Sequence, residues 1–153
     1  MFASVGDTAP DFELDSHRGG RVRLSAFRGK RNVIVAFHPI AWTPVCNAQM
    51  RNYENDLDWF RAHETHVLGL SVDPVASKAA WAESLGGISY DMLTDFPPRN
   101  GVARAYGVAH ADGFSKRAVF VVDKQGTIVF RKEYDIPVLP DNAEVRQAVE
   151  QLS

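Results

Sequence analysis

Residues 33–37, Val-Ile-Val-Ala-Phe, form an unbroken apolar run that leads, five residues later, into Thr43-Pro44. A run this short and this rich in β-branched residues reads as a strand covered on both faces. Threonine followed by proline reads as a helix start, with threonine at the N-cap and proline at the first helical position. The strand must lie inside a sheet, and the helix must run back across it. The same passage puts Cys46, the only cysteine, in the first turn of that helix. One cysteine forms neither an intramolecular disulfide nor a CxxC pair, so a redox cycle at Cys46 has to be completed by an outside thiol.

Two further runs, Val67 to Val72 and Ala118 to Val122, read as strands of the same kind. The third is followed by the turn signal Asp123-Lys124-Gln125-Gly126 and by Ile128 to Phe130, which predicts a hairpin. A smaller hairpin is predicted from Asp11 to Leu14 and Arg21 to Leu24 around Arg18-Gly19-Gly20. In the first helix Val45, Cys46, Met50, Tyr53, Leu57 and Phe60 fall within an arc of ~140°. Cys46 is therefore expected on the apolar face. Asp73-Pro74 predicts the start of a second helix, which Gly86-Gly87 ends. A weak strand over Ile88 to Leu93 and a short helix over Arg99 to Tyr106 come next. In the last helix Asp141 and Glu144 predict a capping box, followed by Val145, Ala148, Val149 and Leu152 at helical spacing. This order argues for an α/β chain with a central mixed β-sheet flanked by helices on both faces.

With 153 residues, the chain suits one domain over 1–153. Its net charge of −2 carries no electrostatic footprint for nucleic acid. Met1 to Asp7 has neither the charged nor the apolar region of a secretory signal, and no stretch is long and apolar enough to span a bilayer. A single thiol fits a reducing compartment, and the cytoplasm is the expected location.

A free cysteine near pKa ~8.5 is only a few per cent thiolate at neutral pH. A helix N-terminus favours the anion through unpaired N–H groups and the macrodipole. Complete ionisation, however, multiplies the thiolate by only about 30 from that starting point. A fast reaction therefore needs groups that hold and polarise the substrate. The candidates are the Thr43 hydroxyl, the N–H groups around Val45 and Cys46, and a distant arginine. Pro39 would stiffen the strand-to-helix loop and limit water at the thiol.

Pro39-x-x-x-Thr43-x-x-Cys46 resembles the active-site motif of the peroxiredoxins, the AhpC/TSA family. Val5-Gly6-Asp7-Thr8-Ala9-Pro10-Asp11-Phe12 resembles that family's opening, and Leu24-Ser25-Ala26-Phe27-Arg28-Gly29-Lys30 its second signature. Arg117 to Asp123 resembles the strand bearing the catalytic arginine. Thr94-Asp95-Phe96 and Tyr106-Gly107-Val108 look most like the one-cysteine, AhpE-like branch. The resemblance implies a thioredoxin-like fold. It also implies a thiol-dependent peroxidase acting on hydrogen peroxide and organic hydroperoxides, with peroxynitrite as a further oxidant. Cys46 would pass through a sulfenic acid, Thr43 and Arg117 would hold the peroxide, and Pro39 would shield the thiol. No cofactor is implied: no metal, haem or flavin. The implied partners are the peroxide and an external thiol reductant (thioredoxin, a glutaredoxin-like protein or a small thiol), with no nucleic acid and no membrane. A homodimer is expected, with Trp42 at its interface. Two departures stand out. Arg51 occupies the position where PrxQ-type relatives carry a resolving cysteine, and Gln49 stands where the family often has glutamate.

The rival reading is a thioredoxin-fold redox sensor or chaperone module with a slow-reacting cysteine. It has no need of Pro39, Thr43 and Arg117 together. His38 either tunes the site or is a structural residue at a strand end. His63 and His66 read as helix-end and loop residues rather than metal ligands. Trp81 is expected either in the core or bordering the site.

Overall fold

The computed structural model describes residues 3–152. Met1, Phe2 and Ser153, the ends of the expected domain span and of the N-terminal reading, lie outside the described residues. Seven strands form one mixed sheet. They are β1 (Glu13–Ser16), β2 (Arg21–Arg23), β3 (Asn32–Phe37), β4 (Thr65–Ser71), β5 (Asp91–Thr94), β6 (Arg117–Val122) and β7 (Ile128–Tyr134). The spatial order is β2-β1-β5-β4-β3-β6-β7. β3, β4 and β5 are parallel neighbours. β1 meets β5, and β6 meets β3, in antiparallel register. The two predicted hairpins are β1–β2 and β6–β7.

The helices are α1 (Pro44–Asn55), α2 (Leu57–Ala62), α3 (Val75–Ser84), α4 (Gly101–Ala105) and α5 (Asn142–Glu150), with a 3-10 turn over Leu24–Phe27. The expected first helix breaks at Asp56 into α1 and α2, but its apolar stripe is kept. Cys46, Met50, Tyr53, Leu57 and Phe60 are all buried.

Strand alternation sends successive side chains to opposite faces. Ile34 and Ala36 of β3, with Val119 and Val121 of β6, join Cys46, Met50, Tyr53, Trp81, Val145 and Val149 on one side. Val33, Val35 and Phe37, with Ala118, Phe120 and Val122, join Leu24, Ala103 and Tyr106 on the other. Helices therefore cover both faces, as expected.

Two helix starts differ from the sequence reading. The N-cap of α3 is Pro74, not Asp73. The Asp73 carboxylate is occupied elsewhere, accepting from Ala41 N at 2.8 Å and from Ser71 Oγ at 2.6 Å. It thus ties the loop before α1 to the end of β4. At α5, Asp141 caps Ala143 N at 2.9 Å, but Glu144 does not close the box. Its carboxylate instead accepts from Lys132 Nζ at 2.8 Å.

Candidate active site

Cys46 lies in the first turn of α1 and is fully buried. The first intrahelical bond runs from Asn47 N to Thr43 O at 2.8 Å. The N–H groups of Val45 and Cys46 precede it, so they belong to the donors that a helix start leaves open. Arg117 opens β6. Alternation carries its side chain to the face of Val119 and Val121, which is the face α1 covers. Its Nη2 donates to Cys46 Sγ at 3.3 Å, its Nη1 to Gln49 Oε1 at 2.6 Å and its Nε to Ile136 O at 2.9 Å.

Arg117 is only 1% exposed, unlike the surface residue that an arginine at a strand start suggests when taken alone. Three fixed acceptors hold its fork in one orientation. Gln49, one helical turn beyond Cys46, takes the place of a carboxylate. It accepts the same hydrogen bond without adding charge that would offset the guanidinium. Tyr53 continues the row along α1. Burial raises its phenol to about 12, opposed by Gln49 and Arg117.

Thr43 and Pro39 meet at a cavity of about 250 Å³ next to this cluster. Ile40, Val45, Phe114, Ile136 and Pro137 supply apolar walls, while Thr43 and Arg117 are the polar groups lining it. Thr43 sits at the N-cap of α1, but its side chain makes no capping bond. The hydroxyl turns back and donates to Ile40 O at 2.9 Å. Its proton is therefore engaged, and the side chain does not cap the helix as the sequence suggests. Its lone pairs remain to accept. Pro39 is buried and lines the cavity from the β3–α1 loop.

The remaining candidates separate clearly. His38 is fully buried on the Cys46 face, with its ring 5.2 Å from that of Trp81. Burial, then Lys78 and Arg117, hold it well below the ordinary histidine range, so it is neutral. Trp81 belongs to the core, and its Nε1 donates to Asn47 Oδ1 at 2.6 Å, next to Cys46. Trp42 is 51% exposed and held at φ 71°. His63 stacks on Trp59 at 3.7 Å, and His66 pairs with Asp91 at 3.0 Å.

Sequence reading gives Asp73 only a helix start and does not single out Lys78. Lys78 opens the stripe Lys78, Trp81, Ala82, Leu85, all buried, and that i, i+3, i+4, i+7 spacing was the available signal.

A buried thiol held by an arginine at a helix start, on a thioredoxin-like sheet, defines a peroxiredoxin, a thiol-dependent peroxidase. The AhpC/TSA family model matches residues 5–131. Alkyl hydroperoxide reductase E of Mycobacterium tuberculosis is 36% identical over 128 residues, covering 83% of this chain and 83% of that protein. The reduced 2-Cys peroxiredoxin of Plasmodium vivax superposes with a TM-score of 0.88 at 26% identity, covering 95% of this chain and 80% of that one. Mycobacterium tuberculosis AhpC shares the fold with a TM-score of 0.90 at 22% identity, covering 99% and 94%. The chain belongs to the AhpC/TSA family. Its single cysteine fits the one-cysteine type.

Proposed function

We propose that Cys46 reduces hydrogen peroxide and organic hydroperoxides, in the manner of the alkyl hydroperoxide reductase it resembles. The observation that carries this reading is the 3.3 Å contact between Arg117 Nη2 and Cys46 Sγ beside an apolar cavity. The thiolate sulfur attacks the terminal peroxide oxygen. A sulfur–oxygen bond forms, the O–O bond breaks, and its electron pair leaves on the other oxygen, which takes a proton from solvent. Arg117 meets the developing negative charge. Thr43 accepts from the peroxide O–H, because its own proton is held by Ile40 O. Pro39 keeps water from the thiolate. Cys46 becomes a sulfenic acid. An external thiol condenses with it, releasing water and forming a mixed disulfide, and a second thiol returns Cys46 to the reduced state. Thioredoxin, a glutaredoxin-like protein and a small thiol are the candidate reductants. The apolar walls favour alkyl hydroperoxides, with peroxynitrite a further oxidant.

The chain acts as one catalytic domain over 1–153 in the cytoplasm. Among the described residues no helix is long and apolar enough to cross a membrane. It pairs as a homodimer through Ile40 and Trp42, apolar residues exposed near the cavity mouth. Light scattering that finds only monomer at micromolar concentration would remove the dimer.

Stopped-flow fluorescence with peroxide, followed by intact mass, tests the chemistry. The expected result is a fast change and one added oxygen, both absent in Cys46→Ser. Full turnover by Cys46→Ser would sink the proposal. Thr43→Val should slow the reaction at least about tenfold. A rate no better than that of free cysteine would instead favour the sensor or chaperone module.

A further inference from the structure

Lys78 is fully buried in α3, on the face that packs over the sheet beside Cys46. It does not line the peroxide cavity, and the chemistry above makes no use of it. Three acceptors surround its amine: Leu93 O at 2.7 Å, His38 Nε2 at 3.2 Å and Gly69 O at 3.3 Å. An ammonium has three donors and no acceptor, so this set suits the charged form. His38 then accepts through Nε2 and carries its proton on Nδ1, which has no partner among the described residues. A neutral amine has one lone pair, and can instead take a hydrogen bond from a protonated Nε2. The same atoms thus house Lys78 with or without its charge, and the tautomer of His38 follows.

The charges facing Lys78 come from every element around it. Burial lowers its amine to about 7, while Asp73 before α3, Cys46 of α1 and Asp95 after β5 act to retain the proton. His17, beyond β1, feels the Lys78 charge. His38, at the end of β3, is neutral under the combined influence of burial, Lys78 and Arg117. Lys78 reaches the thiol through buried contacts: its amine meets the neutral His38 at 3.2 Å, the His38 ring lies 5.2 Å from that of Trp81, and the Trp81 indole donates to Asn47, the residue after Cys46, at 2.6 Å.

We propose that Lys78 is a positioning residue for the peroxide reaction: its ammonium, seated on His38 and two backbone carbonyls, is a second buried positive charge that favours Cys46 as the thiolate. Arg117 touches the sulfur, whereas Lys78 acts from behind the loop without meeting the substrate. The coupling is reciprocal, since a thiolate that gains from the ammonium must in turn hold the proton on Lys78.

The inference rests on Cys46 as the attacking thiol, and its test separates the two. The peroxide rate of Lys78→Met is measured against the parent from about pH 5 to about pH 10, with the ultraviolet thiolate absorbance read alongside. The variant is expected to be about tenfold slower on the acid side, with the two rates converging in alkali where every thiol is ionised. Superimposed profiles, or an equal offset at every pH, would overturn the proposal, because a structural defect does not follow thiol ionisation. A second measurement does not depend on that variant folding. The Lys78 amine is titrated by NMR in the parent and in Cys46→Ser. The expected result is loss of its proton at lower pH once the thiolate is absent. An unchanged titration also overturns the proposal. Full turnover by Cys46→Ser would remove the premise instead.

Discussion

The sheet divides two interiors that share the same strands and differ in chemistry. On the side of Phe12, Phe37, Tyr106 and Phe120 the rings meet at 5.0–6.3 Å, and the buried Asp95 carboxylate is taken up by the N–H groups of Val102 and Ala103. Tyr106 places its hydroxyl on Pro10 O at 2.7 Å. On the side of Cys46, the same alternation buries Arg117, Gln49, His38 and Lys78. That interior leaves His38 Nδ1 without a partner among the described residues. Buried polar groups without partners cost stability, and charged ones cost more. The comparison assigns different duties to the two interiors. One face supplies the aromatic packing that holds the sheet, and the other accepts a cost to hold a thiol, a guanidinium and a buried amine in place.

The strongest way to break that division is Arg117→Met. The expected outcome is a fall in the peroxide rate of about 100- to 1,000-fold, as for removal of a transition-state donor. Stopped-flow kinetics on folded protein checks it, and a fall of less than about threefold would deny the arginine its role. Phe120→Ala is the converse test. It should remove about 3–5 kcal/mol of stability in denaturant titration and leave the peroxide rate of the folded enzyme unchanged.

Smaller effects come from pH. The folded state lowers the proton affinity of His38, so the unfolded chain binds more protons below the ordinary histidine pKa of 6.5. Stability from this group is present above about pH 6.5 and falls by up to about 1.4 kcal/mol per pH unit in acid. Lys78 shifts the same way from 10.5 to about 7. Its buried charge penalises the fold below about pH 7, and the penalty is relieved as pH rises toward about 10. Denaturation of His38→Phe and Lys78→Met across these two windows should flatten the respective slopes. A slope that persisted would assign it to other groups.

The parts of this fold that were legible in the sequence were those set by local pattern. β3, β4 and β6 announce themselves as continuous apolar runs, and Thr43-Pro44 announces α1. Placing Cys46 within one turn of that start follows from spacing alone. The misreadings arise where a side chain is claimed by a partner distant in sequence. Asp73 looks like a helix cap, but its carboxylate is engaged by Ala41, 32 residues away. Arg117 is singled out only by the family resemblance, because its partners Gln49 and Cys46, 68 and 71 residues away, are invisible to any local window. Lys78 falls on the buried stripe of α3, but the acceptors of its amine lie in other elements. Only parallel pairing of β4 with β5 brings Gly69 and Leu93 together as acceptors for its amine. The fold was thus more legible than the electrostatics of its site.

The bond from Trp81 to Asn47 has an optical consequence. The indole is wholly shielded, and its one N–H is fixed to the residue that follows Cys46. Oxidation of the sulfur that displaces the first turn of α1 alters the polarity and hydrogen bonding felt by this fluorophore. Trp42, by contrast, emits from a surface loop. Trp81 emission is therefore expected to follow the redox state of Cys46. Replacing Trp42 and Trp59 with phenylalanine would leave Trp81 as a single label-free channel for following each half of the catalytic cycle in real time.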